Sequence, residues 1–535
     1  MTRTLFGSTV VAFLLCLFLT HAASAQTIVT GGFSGTITDP TGAIVPEANL
    51  TLTNTSTGEN FVTTSTATGG YAFSLLKPGD YALVVKKDGF KTTSRKVSVL
   101  LGQNLTINIA MELGASTTTI EVTGEGALLQ TENANIATTF DTRTVQSIPN
   151  PGNDITYVAQ TAPGVSMNTS NSPGYGNFSA FGLPGTSNLF TINGNDYNDP
   201  FLNVNNSGSS NLLLGSNDVQ EVAVVSNGYT GQYGRQAGAQ IDYSSRSGTN
   251  SYHGSANYYY TGSTLNAEDY FLKASSQPKP FQNNNQWAAD FGGPIKKDKA
   301  YFFVDTEGLR YIFATATQAF LPTQDFQNYV LSKVPASSTS FYQQAFALYN
   351  GAKGAGNAVP QSKSCASVGT LPDGSTSCLG TVTLSGSSGN QEWLLVGRVD
   401  YSFNDNNKIF GRVKFDRGTQ PTYADPINPA FNAISHQPQD EGQLNYTHIF
   451  SPSIANNFIF SYLYYSAVFE STNVNKANQT FPEILCSADT TMFALAPSEA
   501  FTHWPSFSRK DEMSISGKSL MTFRSTRAVT ISRWA

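Results

Sequence analysis

Strict alternation of apolar and polar residues is the strongest pattern in the second half of the chain. One alternating run covers residues 391–403, and a second covers 408–416 after a turn at Asn404–Asn407. A period of two predicts β-strands with two different faces. The first face is mostly apolar or aromatic: Gln391, Trp393, Leu395, Gly397, Val399, Tyr401, Phe403, Ile409, Gly411, Val413 and Phe415. The second face carries the charges: Glu392, Leu394, Val396, Arg398, Asp400, Ser402, Lys408, Phe410, Arg412, Lys414 and Asp416.

A second predicted hairpin repeats this pattern. Its strands lie on either side of Ser451-Pro452-Ser453, with apolar rows at 444–450 and 458–464. Strands of about ten residues with an apolar outer face, aromatic ends and a polar inner face are typical of transmembrane β-barrels. The soluble alternative is a β-sandwich, whose strands are usually shorter. We therefore predict a membrane barrel from residue 249 to 535, with long polar loops, notably at 313–390. Its charged face requires a wet lumen or an inserted domain.

The N-terminal third has a different pattern, with short apolar stretches separated by turn sequences. Turn signals at Asp39-Pro40-Thr41-Gly42, Thr68-Gly69-Gly70, Lys77-Pro78-Gly79-Asp80 and Asp88-Gly89 delimit about seven strands. This spacing predicts an immunoglobulin-like β-sandwich at 26–113. The domain is interpreted as a structural spacer or, alternatively, as a glycan-binding module.

Between the predicted sandwich and barrel lie a linker and a compact region. The linker, residues 114–127, contains the strand-prone run Thr117–Thr123, which suits pairing with another protein's sheet edge. A plain linker or a last sandwich strand is the alternative. Residues 128–248 are rich in Gly and Asn with short apolar stretches, and predict a plug of short strands and loops. The fold class is therefore all-β.

Composition and the N-terminus place this fold outside the cytoplasm. A net charge of -6 with 13% charged residues excludes nucleic-acid binding through bulk basic charge. Residues 1–25 predict a signal peptide, with Arg3, an apolar run and the cleavage signal Ala23-Ser24-Ala25. In an exported protein, Cys365 and Cys378 are candidates for a loop disulfide, because no further Cys or His suggests a metal site. Cys486 is left unpaired.

No sequence motif indicates catalysis or a cofactor. The His residues form no HExxH pair, and Ser516–Ser519 lacks the first glycine of a phosphate-binding loop. We therefore expect a protein that is not an enzyme and that uses no metal or cofactor.

Several longer segments resemble known families. The segments GTITDPTGAIVPEANLTLTN and GGYAFSLLKPGDYALVVKKDGF in the sandwich region resemble the carboxypeptidase regulatory-like domain. FTINGNDYNDPF at 190–201, the segment 219–255 and QWAADFGGPIKKDKAYFFVDTEGLR at 286–310 resemble the TonB-dependent outer-membrane transporters, specifically the Oar-like group.

This resemblance implies a plugged outer-membrane barrel of about 22 strands, with the regulatory-like domain in the periplasm. It implies uptake of a bulky, scarce solute, such as a carbohydrate, peptide or chelate. The expected partners are a TonB-type energy-transducing protein, outer-membrane lipid and an unidentified solute. The candidate contact for TonB is the run Thr118, Thr119, Ile120, Glu121, Val122 and Thr123. The alternative function is a surface structural or adhesion protein with a barrel anchor.

The barrel region is shorter than this resemblance implies. The pattern from residue 249 onward predicts roughly eight to ten strands, and the last 27 residues hold 6 of the 31 Lys and Arg residues. We therefore expect a truncated or frame-shifted product that is not a working transporter by itself.

Overall fold

The structure is a computed structural model of the whole chain. It describes residues 30–114, 119–122, 136–148, 154–167, 177–199, 203–205, 208–210, 212–227, 237–268, 281–365, 369–451, 454–466, 468–480 and 528–534, with the single residues 270, 273 and 279. The predicted signal peptide, Cys486 and most of the linker lie outside the described residues.

An N-terminal β-sandwich, called the sandwich below, occupies residues 30–114. One sheet has the order β4-β1-β7 with β8 on β1, and the other has the order β3-β2-β5-β6-β9. Alternate residues of β2 and β5 face inward, so that Leu50 pairs with Val85 and Leu52 with Leu83 at full burial. The strands are β1 Gly31–Thr38, β2 Asn49–Asn54, β3 Asn60–Thr64, β4 Gly70–Leu76, β5 Gly79–Lys86, β6 Thr92–Val99, β7 Asn104–Thr106 and β8 Ile109–Ala110.

The linker contributes one further strand to the sandwich. β9, Thr119–Val122, pairs in parallel with β6, with Thr92 opposite Thr119 and Arg95 opposite Val122. β9 is therefore the edge strand of the five-stranded sheet.

The plug follows as a small mixed sheet with the order β10-β15-β16-β13-β14. Its β16 is buried along its whole length, as expected for a strand covered on both faces. The plug elements are β10 Ile136–Phe140, α1 Thr142–Ser147, β11 Val165–Met167, β12 Phe178–Ala180, β13 Leu189–Ile192, β14 Asn195–Asp196, β15 Val219–Asn227 and β16 Gln240–Ser245, with 3-10 turns at Ile155–Thr161 and Gly185–Ser187.

A long antiparallel sheet, called the wall below, forms the rest of the structure. Within the described residues its path is β17-β18-β19-β21-β22-β24-β25-β27, with β20, β23 and β26 attached. The wall strands are β17 His253–Gly262, β18 Asn283–Lys296, β19 Ala300–Pro322, β20 Val359–Pro360, β21 Leu379–Asn404, β22 Asn407–Tyr423, β23 Ala433–His436, β24 Gln439–Ser451, β25 Ile454–Tyr465, β26 Val468–Ser471 and β27 Ala528–Trp534.

The two faces of the wall differ as the alternation predicts. On β21, Trp393 is 43% and Phe403 is 54% exposed, whereas Arg398 and Asp400 between them are buried. The turn between β21 and β22 falls where it was predicted, since Asn404 pairs with Asn407. The apolar face therefore points outward and the charged face inward.

Two wall strands are much longer than a membrane crossing requires. β19 and β21 pair without interruption from Ala300 and Tyr401 to Pro322 and Leu379. At about 3.3 Å per residue, β21 extends far beyond the roughly 25 Å apolar band of such barrels. The loop predicted at 313–390 is shorter than expected, because β19 continues to Pro322 and β21 begins at Leu379, which leaves 323–378 as the connection.

A compact helical cap joins these two strands. It contains α2 Gln324–Lys333 and α3 Ala336–Gly351, and Thr323 caps α2 by accepting a hydrogen bond from the Phe326 amide. Phe326, Val330 and Phe346 pack on the disulfide between Cys365 and Cys378. A further helix, α4 Val474–Thr480, follows β26.

The two ends of the wall differ in the length of their loops. Short turns join β18 to β19, β21 to β22 and β24 to β25, whereas the longer connections, including the helical cap, lie at the opposite end. The sandwich lies at the short-turn end, where the Asn250 amide donates to the Ser56 carbonyl. Among the described residues, no helix has the length and hydropathy needed to cross a membrane.

Candidate functional site

The candidate site is the interface between the plug and the charged inner face of the wall. At its centre, Arg412 of β22 contacts Asp218 of the plug at 2.5 Å and Glu441 of β24 at 2.9 Å. All three side chains are almost fully buried. A guanidinium held between two carboxylates satisfies its charge without water, so this triad attaches the plug to two adjacent wall strands.

A second attachment is made by Glu307 of β19. Its carboxylate accepts hydrogen bonds from the amides of Gly215 at 3.0 Å and Asn217 at 2.9 Å. The plug segment 215–218 is therefore fixed between Glu307 and Arg412. Backbone amides that point to a carboxylate make charge-assisted hydrogen bonds, which are among the stronger ones in proteins.

Further polar contacts continue around the plug. Lys414 donates to the Tyr197 hydroxyl at 2.7 Å, and Arg398 donates to the Ser245 carbonyl at 2.9 Å. Other plug–wall pairs are Asn193 with Gln443, Ser209 with Gln437, Ser210 with Asn390 and Asn195 with Ser461. The charged face predicted from the sequence is therefore covered by the plug.

One part of the interface is apolar. Leu212 and Leu214 of the plug pack on Leu309, Leu394 and Val396 of the wall. These side chains account for the two apolar residues, Leu394 and Val396, on the otherwise polar face of β21. This small apolar patch, together with the polar contacts around it, fixes the position of the plug on the wall.

The inner face also carries carboxylates in excess. Asp290 of β18 and Asp305 of β19 are directly opposite each other and buried, and Arg246 of the plug approaches Asp290 at 3.4 Å. Both carboxylate oxygens of Asp305 lack a hydrogen-bond partner among the described residues. Two carboxyl groups that face each other across strands destabilise the pair if both are ionised, so a plug cation such as Arg246 is favourable here.

These contacts can hold a domain but supply no catalytic arrangement. In the part of the chain that the structure describes, no group of three His, Cys, Asp or Glu side chains could hold a metal ion. The interface is dominated by hydrogen bonds and ion pairs, which water can replace when the surfaces separate. The arrangement is therefore suited to a plug that is retained and can still move.

The sequence-predicted site residues lie away from this interface. Cys365 and Cys378 form a disulfide in the helical cap at the long-loop end. Of the candidate TonB contact, Thr119–Val122 form β9 on the edge of the sandwich, whereas Thr118 and Thr123 lie outside the described residues. The assignment of this run to TonB stays a prediction.

Several functional residues were not singled out by the sequence analysis. Glu307, Asp218 and Tyr197 carry plug–wall contacts, yet only Glu307 has a sequence signal. It shares a period of two with Tyr301, Phe303, Asp305 and Leu309, so alternation along 301–309 predicts its inward face. The plug residues lie in loops without such a period.

The family comparisons agree with this architecture. The family model of the outer membrane beta barrel domain matches residues 244–531, that of the TonB-dependent receptor plug domain matches 131–239, and that of the carboxypeptidase regulatory-like domain matches 32–112. The chain belongs to the outer-membrane β-barrel family, as a plugged member of the TonB-dependent class. This class consists of transporters and receptors and not of enzymes. The short-turn end with the sandwich faces the periplasm.

Among named relatives, the chain is similar to the TonB-dependent transporter Oar of Myxococcus xanthus. The two are 29% identical over 281 residues, which cover 48% of this chain and 25% of Oar. Among solved structures, the chain is similar to the outer membrane transporter YddB from Escherichia coli, at 12% identity, TM-score 0.41, and coverage of 63% of this chain and 40% of YddB. The siderophore receptor PirA from Acinetobacter baumannii matches at 12% identity and TM-score 0.38, over 62% of this chain and 40% of PirA. The matches thus span less than half the length of each of these relatives.

Proposed function

We propose that this chain belongs to a machine that takes up a bulky, scarce solute across the outer membrane with energy supplied by a TonB-type protein. The observation that carries the proposal is the polar plug–wall interface. Ion pairs such as Arg412 with Asp218, and amide contacts such as those of Glu307, hold the plug without a continuous apolar core. When such surfaces separate, water forms hydrogen bonds with the exposed polar groups and offsets much of the energy of the lost contacts. A mechanical pull can therefore displace the plug, and the plug can return afterwards.

The proposed point of pull is the run from Thr118 to Thr123. β9 is an edge strand, and one of its two backbone edges is paired with β6. An extended segment next to a sheet edge can add a strand of a partner through main-chain hydrogen bonds. A TonB-type protein would pair either with the other edge of β9 or with β9 after its release from β6.

Proline substitution tests this contact in a full-length homologous transporter, because this chain is not expected to transport by itself. Ile120→Pro and Val122→Pro each remove one amide donor and restrict the preceding residue, so energy-dependent uptake should be lost. Ile120→Val and Val122→Ile are the matched controls, because they keep the backbone unchanged. Uptake that is unaffected by either proline would contradict the proposal and would favour the surface structural or adhesion role.

The solute class is proposed only as far as carbohydrate, peptide or chelate. The assay therefore compares a ferric catecholate, an oligosaccharide and a fluorescent oligopeptide in cells that express the full-length homologous transporter, with and without TonB. We expect TonB-dependent accumulation of one class, and no accumulation of any of them in the proline variants. Accumulation that does not depend on TonB would contradict energised uptake.

A further inference from the structure

The sandwich touches the plug and the wall at the same time. Its contacts come from two turns, Thr55–Glu59 and Lys77–Pro78, which together we call the clasp. The clasp reaches wall residues at the short-turn end and plug residues next to β15 and β16. A domain that merely hung from a linker would show no such double contact.

The central contact of the clasp is an ion pair with Asp400 of β21. Lys77 Nζ lies 2.8 Å from Asp400 Oδ1, and the Asp400 side chain is only 5% exposed. Arg398 donates to both oxygens of the same carboxylate, at 2.8 and 2.9 Å, and Ser247 of the plug end donates at 2.9 Å. One wall carboxylate therefore binds a residue of the sandwich, a residue of the wall and a residue at the plug end.

A second ion pair lies nearby and is also shielded from water. Lys408 of β22 lies 2.7 Å from Glu59, and its ammonium group lies 3.4 Å from the centre of the Phe61 ring. The side chains of Lys408 and Glu59 are about nine-tenths buried. An ammonium group that contacts a carboxylate and an aromatic face in a largely buried site makes a stronger contact than a fully exposed pair.

The Thr55–Glu59 turn fits closely against the wall. Its Thr57 carbonyl accepts hydrogen bonds from Tyr301 Oη and Asn250 Nδ2, both at 2.6 Å. Gly58 has a φ of +70° and a Cβ at this position would lie 2.4 Å from Asp298 Oδ1. Glycine is therefore required here by the backbone conformation and by the close approach of the wall.

The sandwich also binds the plug directly. Gln220 of β15 donates to the Pro78 carbonyl at 3.0 Å, and the buried Glu221 carboxylate accepts the Leu101 amide at 2.9 Å. Gln220 and Glu221 of the plug therefore bind the sandwich, which also binds Asp400 and Lys408 of the wall. The sandwich thus connects plug and wall as a bivalent partner would.

A polar cavity of about 190 Å³ separates parts of the three surfaces. Its lining includes Lys77, Arg246, His253 and Asp400. A polar cavity of this size admits water, which can solvate the charged groups of the clasp once the sandwich leaves. The contact is therefore built to open as well as to close.

We propose that the sandwich is a periplasmic clamp that keeps the plug seated in the wall through the clasp and Asp400. The plug is held more tightly while the sandwich is docked, and release of the sandwich lowers the barrier to plug movement. This inference concerns plug retention and can be tested without a solute or an energy source.

The first test removes the central ion pair in the full-length chain. Lys77→Met keeps the aliphatic stem and leaves the rest of the sandwich intact, because Lys77 is 42% exposed at its side chain. Hydrogen exchange, followed by mass spectrometry on outer-membrane vesicles, is compared with that of Lys86→Met. Lys86 is an exposed β5 residue of the same domain. We expect amides of residues 240–248 to exchange about fivefold faster in Lys77→Met, in line with a partly exposed ion pair, and to be unchanged in Lys86→Met.

A second variant keeps the positive charge of the clasp. Lys77→Arg retains a cation that can reach the Asp400 carboxylate. Exchange in 240–248 should therefore stay at the original rate in Lys77→Arg, in contrast to Lys77→Met.

Three results would overturn the clamp. Lys77→Met could loosen residues 55–59 and leave 240–248 unchanged, which would make the sandwich a passive appendage. Lys86→Met could produce the same change as Lys77→Met, which would show a loss of the sandwich fold. Lys77→Arg could accelerate exchange in 240–248 as much as Lys77→Met, which would show that the ion pair with Asp400 does not retain the plug.

Discussion

Replacement of Glu307 by Ala should loosen the plug in the wall. The Glu307 carboxylate is 2% exposed and is the acceptor for the amides of Gly215 and Asn217. Its removal leaves two buried N–H groups unpaired, at a cost of about 1–3 kcal/mol each. We therefore expect the local opening free energy of the segment 212–220 to fall by about 3 kcal/mol.

Hydrogen exchange of the segment 212–220 in outer-membrane vesicles measures this change directly. Since about 1.4 kcal/mol corresponds to a factor of ten, exchange should accelerate by roughly a hundredfold. Glu307→Gln keeps one acceptor oxygen and should show a smaller effect. The cap helices α2 and α3, which lie at the opposite end of β19, should be unaffected.

Asp305→Asn is the matched control for this prediction. Asp305 is two residues away on the same inward face, but its carboxylate oxygens have no hydrogen-bond partner among the described residues and it is opposite Asp290. Replacing this carboxyl group, which has no such partner, should leave plug exchange unchanged or slower. The reasoning fails if Glu307→Ala has no effect on 212–220, or if Asp305→Asn accelerates exchange as strongly.

Three further changes have defined outcomes. Burial, with smaller contributions from the nearby Asp141 and Asp80 charges, raises the pKa of the Glu221 carboxyl from 4.5 to about 8. The docked state therefore binds a proton more tightly than the undocked state, so docking is favoured at low pH and this advantage is lost as the pH rises to about 8. Urea midpoints measured at about pH 5.5 and about pH 8.5 should differ in the unmodified chain and be equal in Glu221→Gln. Gly248→Ala places a Cβ 2.3 Å from the Phe302 carbonyl oxygen and should lower the urea midpoint by the equivalent of about 1–3 kcal/mol, while a midpoint equal to that of the unmodified chain would contradict the close approach. Cys365→Ser should speed exchange in α2 and α3, because closing a loop of about 15 residues stabilises by about 3 kcal/mol, and unchanged exchange in both helices would show that the disulfide does not hold the cap together.

The wall was predictable because alternation reports directly on its two environments. Trp393 and Phe403 lie on the outer face and Arg398 and Asp400 on the inner face, as their positions in the repeat require. Alternation could not predict the outer ends of β19 and β21. Residues 386–390 are Gly, Ser and Asn, so both faces have the same polarity there and only pairing with β19 defines the strand.

The contacts that join the domains were not predictable from local pattern. Lys77 was recognised as part of a turn, but its partner Asp400 is 323 residues further along the chain. The run Thr117–Thr123 was predicted to be strand-prone, and Thr119–Val122 form a last strand of the sandwich, which was the alternative interpretation of this run. Its pairing with β6 depends on how the linker returns along the sandwich, which the residues of the strand do not encode. Long-range geometry of this kind is set by the assembled fold.

The most direct test of the proposed energised uptake is cross-linking between β9 and a TonB-type protein in living cells. A cysteine introduced by Ile120→Cys is compared with one introduced by Lys86→Cys, on the exposed surface of the same sandwich. The account predicts disulfide-linked complexes with cysteine variants of TonB at position 120, which increase when solute is present, and none at position 86. Equal cross-linking at both positions, or none at position 120 in energised cells, would contradict the account.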